Sequence, residues 1–114
     1  MAQVDCDEWA IARMSRPTWV AISQGEIAGF IDMQSNWLID MLFVHPEHQR
    51  KGVATALLAR VETEAGAAEI SVLHTYSSLI AQTFFEVCGF TLLLARSVVV
   101  RNERFRQAVM EKKL

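Results

Sequence analysis

The feature that most constrains this chain is a strand-like run leading through a glycine into a helix-like run. Residues 37–44 (WLIDMLFV) are apolar at every position except Asp40, the pattern of a strand buried on both faces. The segment HPEHQRKG follows, and from Gln49 to Ala65 the apolar residues Val53, Ala54, Leu57, Leu58, Val61 and Ala65 recur at helical spacing. Gly66 is a natural stop, and residues 69–75 (EISVLHT) form another short strand. Strand, crossover helix and strand in that order read as a parallel pair, with a right-handed connection as the default.

Antiparallel elements surround this unit. Residues 18–24 (TWVAISQ) and 27–34 (IAGFIDMQ), joined across a Gly-Glu turn, read as a β-hairpin. Ser77 or Ser78 caps a second helix carrying Ile80, Ala81, Phe84, Phe85 and Val87, with Gly89 as terminator. Residues 90–100 (FTLLLARSVVV) are strand. The tail fits a helix capped by Asn102, slightly favoured by periodicity, or a hairpin turning at Arg101-Asn102-Glu103. The order β-β-β-α-β-α-β plus a tail describes an α/β (α+β) domain with a mixed sheet and flanking helices. At 114 residues there is room for one domain, residues 1–114.

Composition removes several function classes. The net charge of −2 recommends neither nucleic acid nor an anionic membrane as partner, and the basic tail is interrupted by Glu103 and Glu111. No apolar run approaches the length of a membrane span, and the N-terminus is acidic where a signal peptide is basic. Cys6 and Cys88 form no paired motif, which fits a reduced, cytoplasmic protein. The HPEH stretch lacks a further ligand cluster at metal-binding spacing, so no metal is expected, and His45 and His48 read as solvated.

The glycine turn carries the chemistry. A helix start presents unpaired N–H groups and the positive end of the dipole, and so takes anions. Gly52 and the small Ala54 leave the backbone open, Thr55 adds a hydroxyl, and Arg50 and Lys51 add charge. Neither the GxxxxGK[ST] nor the GxGxxG pattern is present, so the anion is not a nucleotide held in either of those turns. A tight loop with a solvated basic flank is the plain alternative.

Gln49-Arg50-Lys51-Gly52-Val53-Ala54 resembles the Q/R-x-x-G-x-G/A motif of the GNAT N-acetyltransferases. The resemblance extends over IDMLFVHPEHQRKGVATALL, over IAQTFFEVCGF with its F-Y/F-E-x-x-G-F ending, and over SVVVRNERFRQAVMEKKL, which is similar to the family's closing hairpin. Residues 9–34 resemble the second and third strands and their approach, and the paired phenylalanines match a bacterial subgroup. The resemblance implies a hairpin for the tail. It implies acetyl-CoA as co-substrate, its pyrophosphate on the amides of Arg50, Lys51, Gly52, Val53, Ala54 and Thr55, with Gln49 of the motif also in the cofactor site. Leu42, Phe43 and Val44 would pair with the pantetheine arm like an added strand in a slot between two splayed strands. Ser78 and Phe85 would wall the other side, Ser78 standing where many members have Asn.

Direct transfer to a primary amine is the implied reaction, helped by a base for the ammonium proton and an acid for the leaving thiolate. Asp40, the only carboxylate in residues 37–44, is the candidate base; a partner to an arginine or a turn is the competing role. His74, ending a strand near the slot, is a modest rival. The sequence departs from the family at Phe85, where many members place the tyrosine acid, which leaves Tyr76, between strand and helix, as the candidate donor. Measured against the resemblance, the usual first strand and helices before the segment matching Trp9 are lacking. That implies an open acceptor site, completion by another subunit as in a homodimer or by a partner, or a chain that is a fragment. A non-catalytic coenzyme A-binding or protein-interaction module derived from the same fold is the alternative function.

Overall fold

The computed structural model describes residues 8–11 as backbone and residues 17–34, 36–50 and 52–114 in full. Four elements come before the glycine turn: β1 (Glu8–Ile11), β2 (Thr18–Ser23), β3 (Glu26–Met33) and β4 (Leu38–Val44). A short 3-10 turn, Pro46–His48, leads into α1 (Val53–Ala67), followed by β5 (Val72–Ser78), α2 (Leu79–Val87), β6 (Thr91–Val100) and β7 (Glu103–Lys113). Among the described residues they form a seven-stranded sheet in the order β1-β2-β3-β4-β5-β7-β6. Every pair is antiparallel except β4 with β5. The mixed sheet with a central parallel β-α-β unit is as the sequence expects.

Local chemistry sets the boundaries. Gln24 and Gly25, both at positive φ, turn β2 into β3. Trp37 also has positive φ, and Asn36 Oδ1 accepts from the Leu38 amide at 3.3 Å, so β4 starts one residue later than its apolar run. Arg101 and Asn102, both left-handed, reverse the chain between β6 and β7. The tail is therefore the hairpin, because a helix could not be entered through that turn. Gly66 does not stop α1, which runs to Ala67 before Ala68 caps it. The strand after it lies later than residues 69–75, because Glu69 is left-handed and Ile70 N returns to Ala65 O at 2.8 Å.

One face of the sheet is covered. Val53, Leu57, Leu58, Val61 and Ala65 of α1 share a core with Trp19, Ile31, Ile39, Leu73 and Met110 of the sheet and with Phe85 and Phe90. Burying each large aliphatic side chain of this set contributes roughly 1.5–3 kcal/mol. Gly29 permits the close approach: a Cβ there would strike the Phe43 carbonyl and lie 3.0 Å from Val53 Cγ1. On the same side Lys112 Nζ reaches both Glu62 carboxylate oxygens at 3.1 Å and the Cys88 carbonyl at 2.7 Å, joining β7 to α1 and to the end of α2. Burial pushes the Cys88 thiol up, the Lys112 ammonium opposing this and Glu62 adding to it.

The other face corrects two expectations. β4 is not buried on both sides: Asp40, Met41 and Phe43 are exposed, and the Phe43 ring tilts against Phe30 at 5.5 Å on the outer face. Asp40 is therefore not a buried carboxylate. The cause is a bulge, since Met33 pairs with Ile39 and Asp32 with Met41, leaving Asp40 as the extra residue. The bulge breaks the alternation, so Ile39, Leu42 and Val44 face the core while Asp40 and Met41 both face outward.

Candidate functional site

β4 and β5 are joined at only two register positions, Leu38 with His74 and Ile39 with Thr75. Thr75 Oγ1 donates to the Ile39 carbonyl at 3.2 Å on the second of these rungs. At the next residue the Asp40 bulge adds twist, and β4 continues along β3. β5 instead continues along β7, pairing Tyr76 with Val109, Ser77 with Ala108 and Ser78 with Gln107. A slot opens between the strands, a cleft of about 280 Å3 lined by Asp40, Leu42, Tyr76, Ser78, Ala81 and Phe85 among others.

At the far end of β4 the chain leaves helix N–H groups open. Arg50 (φ 63) and Gly52 (φ 80) both turn left-handed before α1. Gly52 stands at the cap position with no side-chain hydrogen bond, and the first turn carries no acid. The first helical bond of the cap runs from Ala56 N to Gly52 O at 2.9 Å, so the amides of Val53, Ala54 and Thr55 precede any helical acceptor. The residues that carry these N–H groups line a second cleft of about 350 Å3, together with Val44, Gln49, Arg50, Gly52 and Phe84, at the positive end of the helix dipole.

Both clefts draw on β4 and α2. Leu42 lines one and Val44 the other, and Phe85 and Phe84 divide in the same way on α2. Of the residues singled out in the sequence, Asp40, Leu42, Tyr76, Ser78 and Phe85 gather at the slot, and Val44, Gln49, Arg50, Gly52, Val53, Ala54 and Thr55 at the helix start. Phe43 stands between them in β4, its ring on the outer face. Lys51 and Cys6 lie outside the described residues. Tyr76 lies inside β5 rather than in a connection, because the strand runs on to Ser78. Ser78 is the cap of α2, its Oγ accepting from Ala81 N at 3.2 Å. Phe85 is buried, edge to face with Phe84 and Phe90.

The histidines lie elsewhere. His45 Nδ1 accepts from Glu47 N at 3.1 Å and caps the 3-10 turn. His48 is buried, not solvated, its Nε2 3.4 Å from Glu26 Oε2, because β3 packs against that turn. His74 lies below the slot, opposite Leu38 and 3.7 Å from Glu111, rather than at the end of its strand. Among the described residues no cluster of three or more His, Cys, Asp or Glu side chains is arranged to hold a metal ion. No helix among them is long and apolar enough to cross a membrane.

Two further contributors were not singled out in the sequence. Gly29 reveals itself only where the helix meets the sheet. Arg96, on β6, places its guanidinium carbon 5.0 Å from the centre of the Tyr76 ring; hairpin pairing of residues 98–100 with the tail would have hinted at its strand but not at its reach.

A family model for the GNAT acetyltransferase domain matches residues 3–114. The chain belongs to the GNAT family. It is 36% identical over 113 residues to YafP of Escherichia coli K12, an uncharacterised N-acetyltransferase, covering 98% of this chain and 71% of YafP. A GCN5-related N-acetyltransferase from Rhodopseudomonas palustris superposes with a TM-score of 0.82 at 31% identity. That match covers 87% of this chain but 62% of the other, so the GNAT chain here spans less than two thirds of that relative. A candidate streptothricin acetyltransferase from Bacillus anthracis, solved with acetyl coenzyme A, has a TM-score of 0.78 at 19% identity over 98% of this chain and 69% of its own, a likeness of fold.

Proposed function

We propose that this GNAT chain is an acetyl-CoA-dependent N-acetyltransferase acting on a primary amine, with residues 1–114 as one catalytic domain. The observation that carries the reading is that the β4–β5 slot and the cleft at the uncapped start of α1 both lie along β4 and α2. A pyrophosphate fits the helix start, where Arg50 and the open amides of Val53, Ala54 and Thr55 supply positive potential. A pantetheine arm fits the length of β4 from Leu42 to Val44 that β5 leaves unpaired, walled by Ser78 and Phe85 on the other side. The Bacillus anthracis neighbour, with acetyl coenzyme A bound, supports this choice of co-substrate.

Acetyl-CoA supplies the activated thioester. The chain's own task is to hold a neutral amine against it. Asp40, exposed on the outer rim of the slot, accepts the ammonium proton. Tyr76, on the opposite rim, is the hydroxyl available to donate to the leaving sulfur, since Phe85 has none. Work in the cytoplasm accords with a free Cys88 thiol, and homodimer formation with the sheet edge at β1.

The buried Phe85 also favours a second reading, a coenzyme A-binding module without turnover. Titration with acetyl-CoA by calorimetry, followed by an amine panel with thiol release as readout, separates the two. Saturable binding and release with some amine support the enzyme; binding with no release across a broad panel supports the module. No binding overturns both.

A further inference from the structure

The rim of the slot carries a charge that acetyl transfer alone does not use. Cross-strand register on the outer face sets Arg96 of β6 opposite Gln107 of β7, and Gln107 opposite Ser78 of β5. Arg96 Nε donates to Gln107 Oε1 at 2.9 Å, and the guanidinium ends 5.0 Å from the centre of the Tyr76 ring. The side chain therefore crosses the whole width of β7 and stops above a residue that lines the slot.

These two contacts fix the guanidinium but occupy only one of its nitrogens. Among the described residues Arg96 forms no ion pair. Its two terminal nitrogens keep the planar fork that matches a carboxylate through two parallel hydrogen bonds, and an arginine remains charged at any working pH. An exposed arginine held in place by a glutamine and an aromatic face has already lost much of the side-chain freedom that binding would otherwise cost. Across the slot, Asp40 presents the opposite charge on the β4 rim.

We propose that Arg96 is a specificity-determining residue that takes a carboxylate of the acceptor. On the functional reading above, on which this rests, the acceptor is an amine that also carries a carboxylate, of the amino-acid class. Its ammonium lies toward Asp40 and its carboxylate toward Arg96. A simple polyamine or an amino sugar offers nothing to the second charge.

The test uses matched pairs of free L-amino acids and their carboxamides, with saturating acetyl-CoA and thiol release as readout. The wild-type chain should favour the acids in kcat/KM by at least about tenfold. Arg96→Gln should bring the ratio to about one by raising KM for the acids, and Arg96→Lys should restore part of the preference. Calorimetry with acetyl-CoA on each variant separates a lost acceptor contact from a lost fold. Equal use of acids and amides, a preference that survives Arg96→Gln, or acetyl-CoA binding with transfer to neither series each overturns the assignment. Failure to bind acetyl-CoA at all overturns the enzyme reading itself, and is seen in the calorimetric arm alone.

Discussion

Thr75 Oγ1 donates to the Ile39 carbonyl at 3.2 Å on the last rung that joins β4 to β5. Both residues are buried, at 2% exposure each, so this hydroxyl sits where the slot begins and where water cannot replace it. The bulge at Asp40 turns β4 outward at the next residue, and the Thr75 bond marks how far the two strands may part. Thr75→Val keeps the shape and deletes the bond. It should cost about 1 kcal/mol, a fall of roughly 4–8 °C in Tm for a domain of this size. Acetyl-CoA affinity should fall with it; an unchanged Tm and Kd would show that the backbone ladder alone fixes the fork.

Gly52 is the next point of control. Its φ of 80 is a region where a side chain costs roughly 1–2 kcal/mol, and it stands at the head of three uncapped amides. Gly52→Ala should weaken acetyl-CoA binding modestly through strain. Gly52→Glu adds bulk and a negative charge at the proposed pyrophosphate site and should abolish binding in calorimetry while circular dichroism still reports a folded chain. Equal affinity in both variants would remove the pyrophosphate from the start of α1.

Phe85 faces two ways, toward Phe84 and Phe90 in the core and toward the slot that it helps line. Phe85→Tyr should place a hydroxyl on the slot side and raise kcat by about tenfold, below the roughly 10²–10⁴-fold of a fully positioned acid. A variant with unchanged kcat and a lower Tm would mean that the para position points into the core, where a hydroxyl has no partner.

Gly29 tests the packing beneath the site. A methyl there meets the Phe43 carbonyl, part of the β4 backbone, with Val53 Cγ1 and Leu57 Cδ1 at 3.0 and 3.3 Å. The strand cannot yield as a flexible side chain would, so Gly29→Ala should cost about 1–3 kcal/mol in urea unfolding. It should also disturb acetyl-CoA binding, because Val53 opens α1. A stability loss without any change in affinity would uncouple the helix start from the sheet.

Much of this was legible in the residues, and the failures share a cause. Gly52 and the helical spacing from Val53 onward are local signals, and they place the left-handed turn and the start of α1 where the structure has them. The Asp40 bulge is not local: it exists only because Met33 and Asp32 of β3 pair with Ile39 and Met41 and skip a residue. Without that register, LIDMLFV reads as a strand buried on both sides, whereas Met41 and Phe43 stand exposed. His48 looks like a loop histidine until Glu26, twenty-two residues away, is brought beside it. Arg96 needed three strands in register before it could be seen to reach Tyr76.

Cys88 gives a pH prediction away from the site. Burial holds its thiol above the ordinary range, with Lys112 pulling it down and Glu62 pushing it up. Alkylation by iodoacetamide should therefore titrate with a midpoint above the ~8.5 of a free thiol. Lys112→Met removes the downward pull and leaves Glu62 unopposed, so the midpoint should rise further, whereas a merely looser helix end would change the plateau rate and not the midpoint. The sign for stability follows from the same shift. The folded state keeps a proton that the unfolded chain has already lost, so the contribution is complete below the ordinary thiol pKa and is lost as pH rises through the raised one. Urea midpoints should decline over that alkaline interval, and Cys88→Ala should flatten the decline; an equal slope in the variant would assign the alkaline loss to other groups.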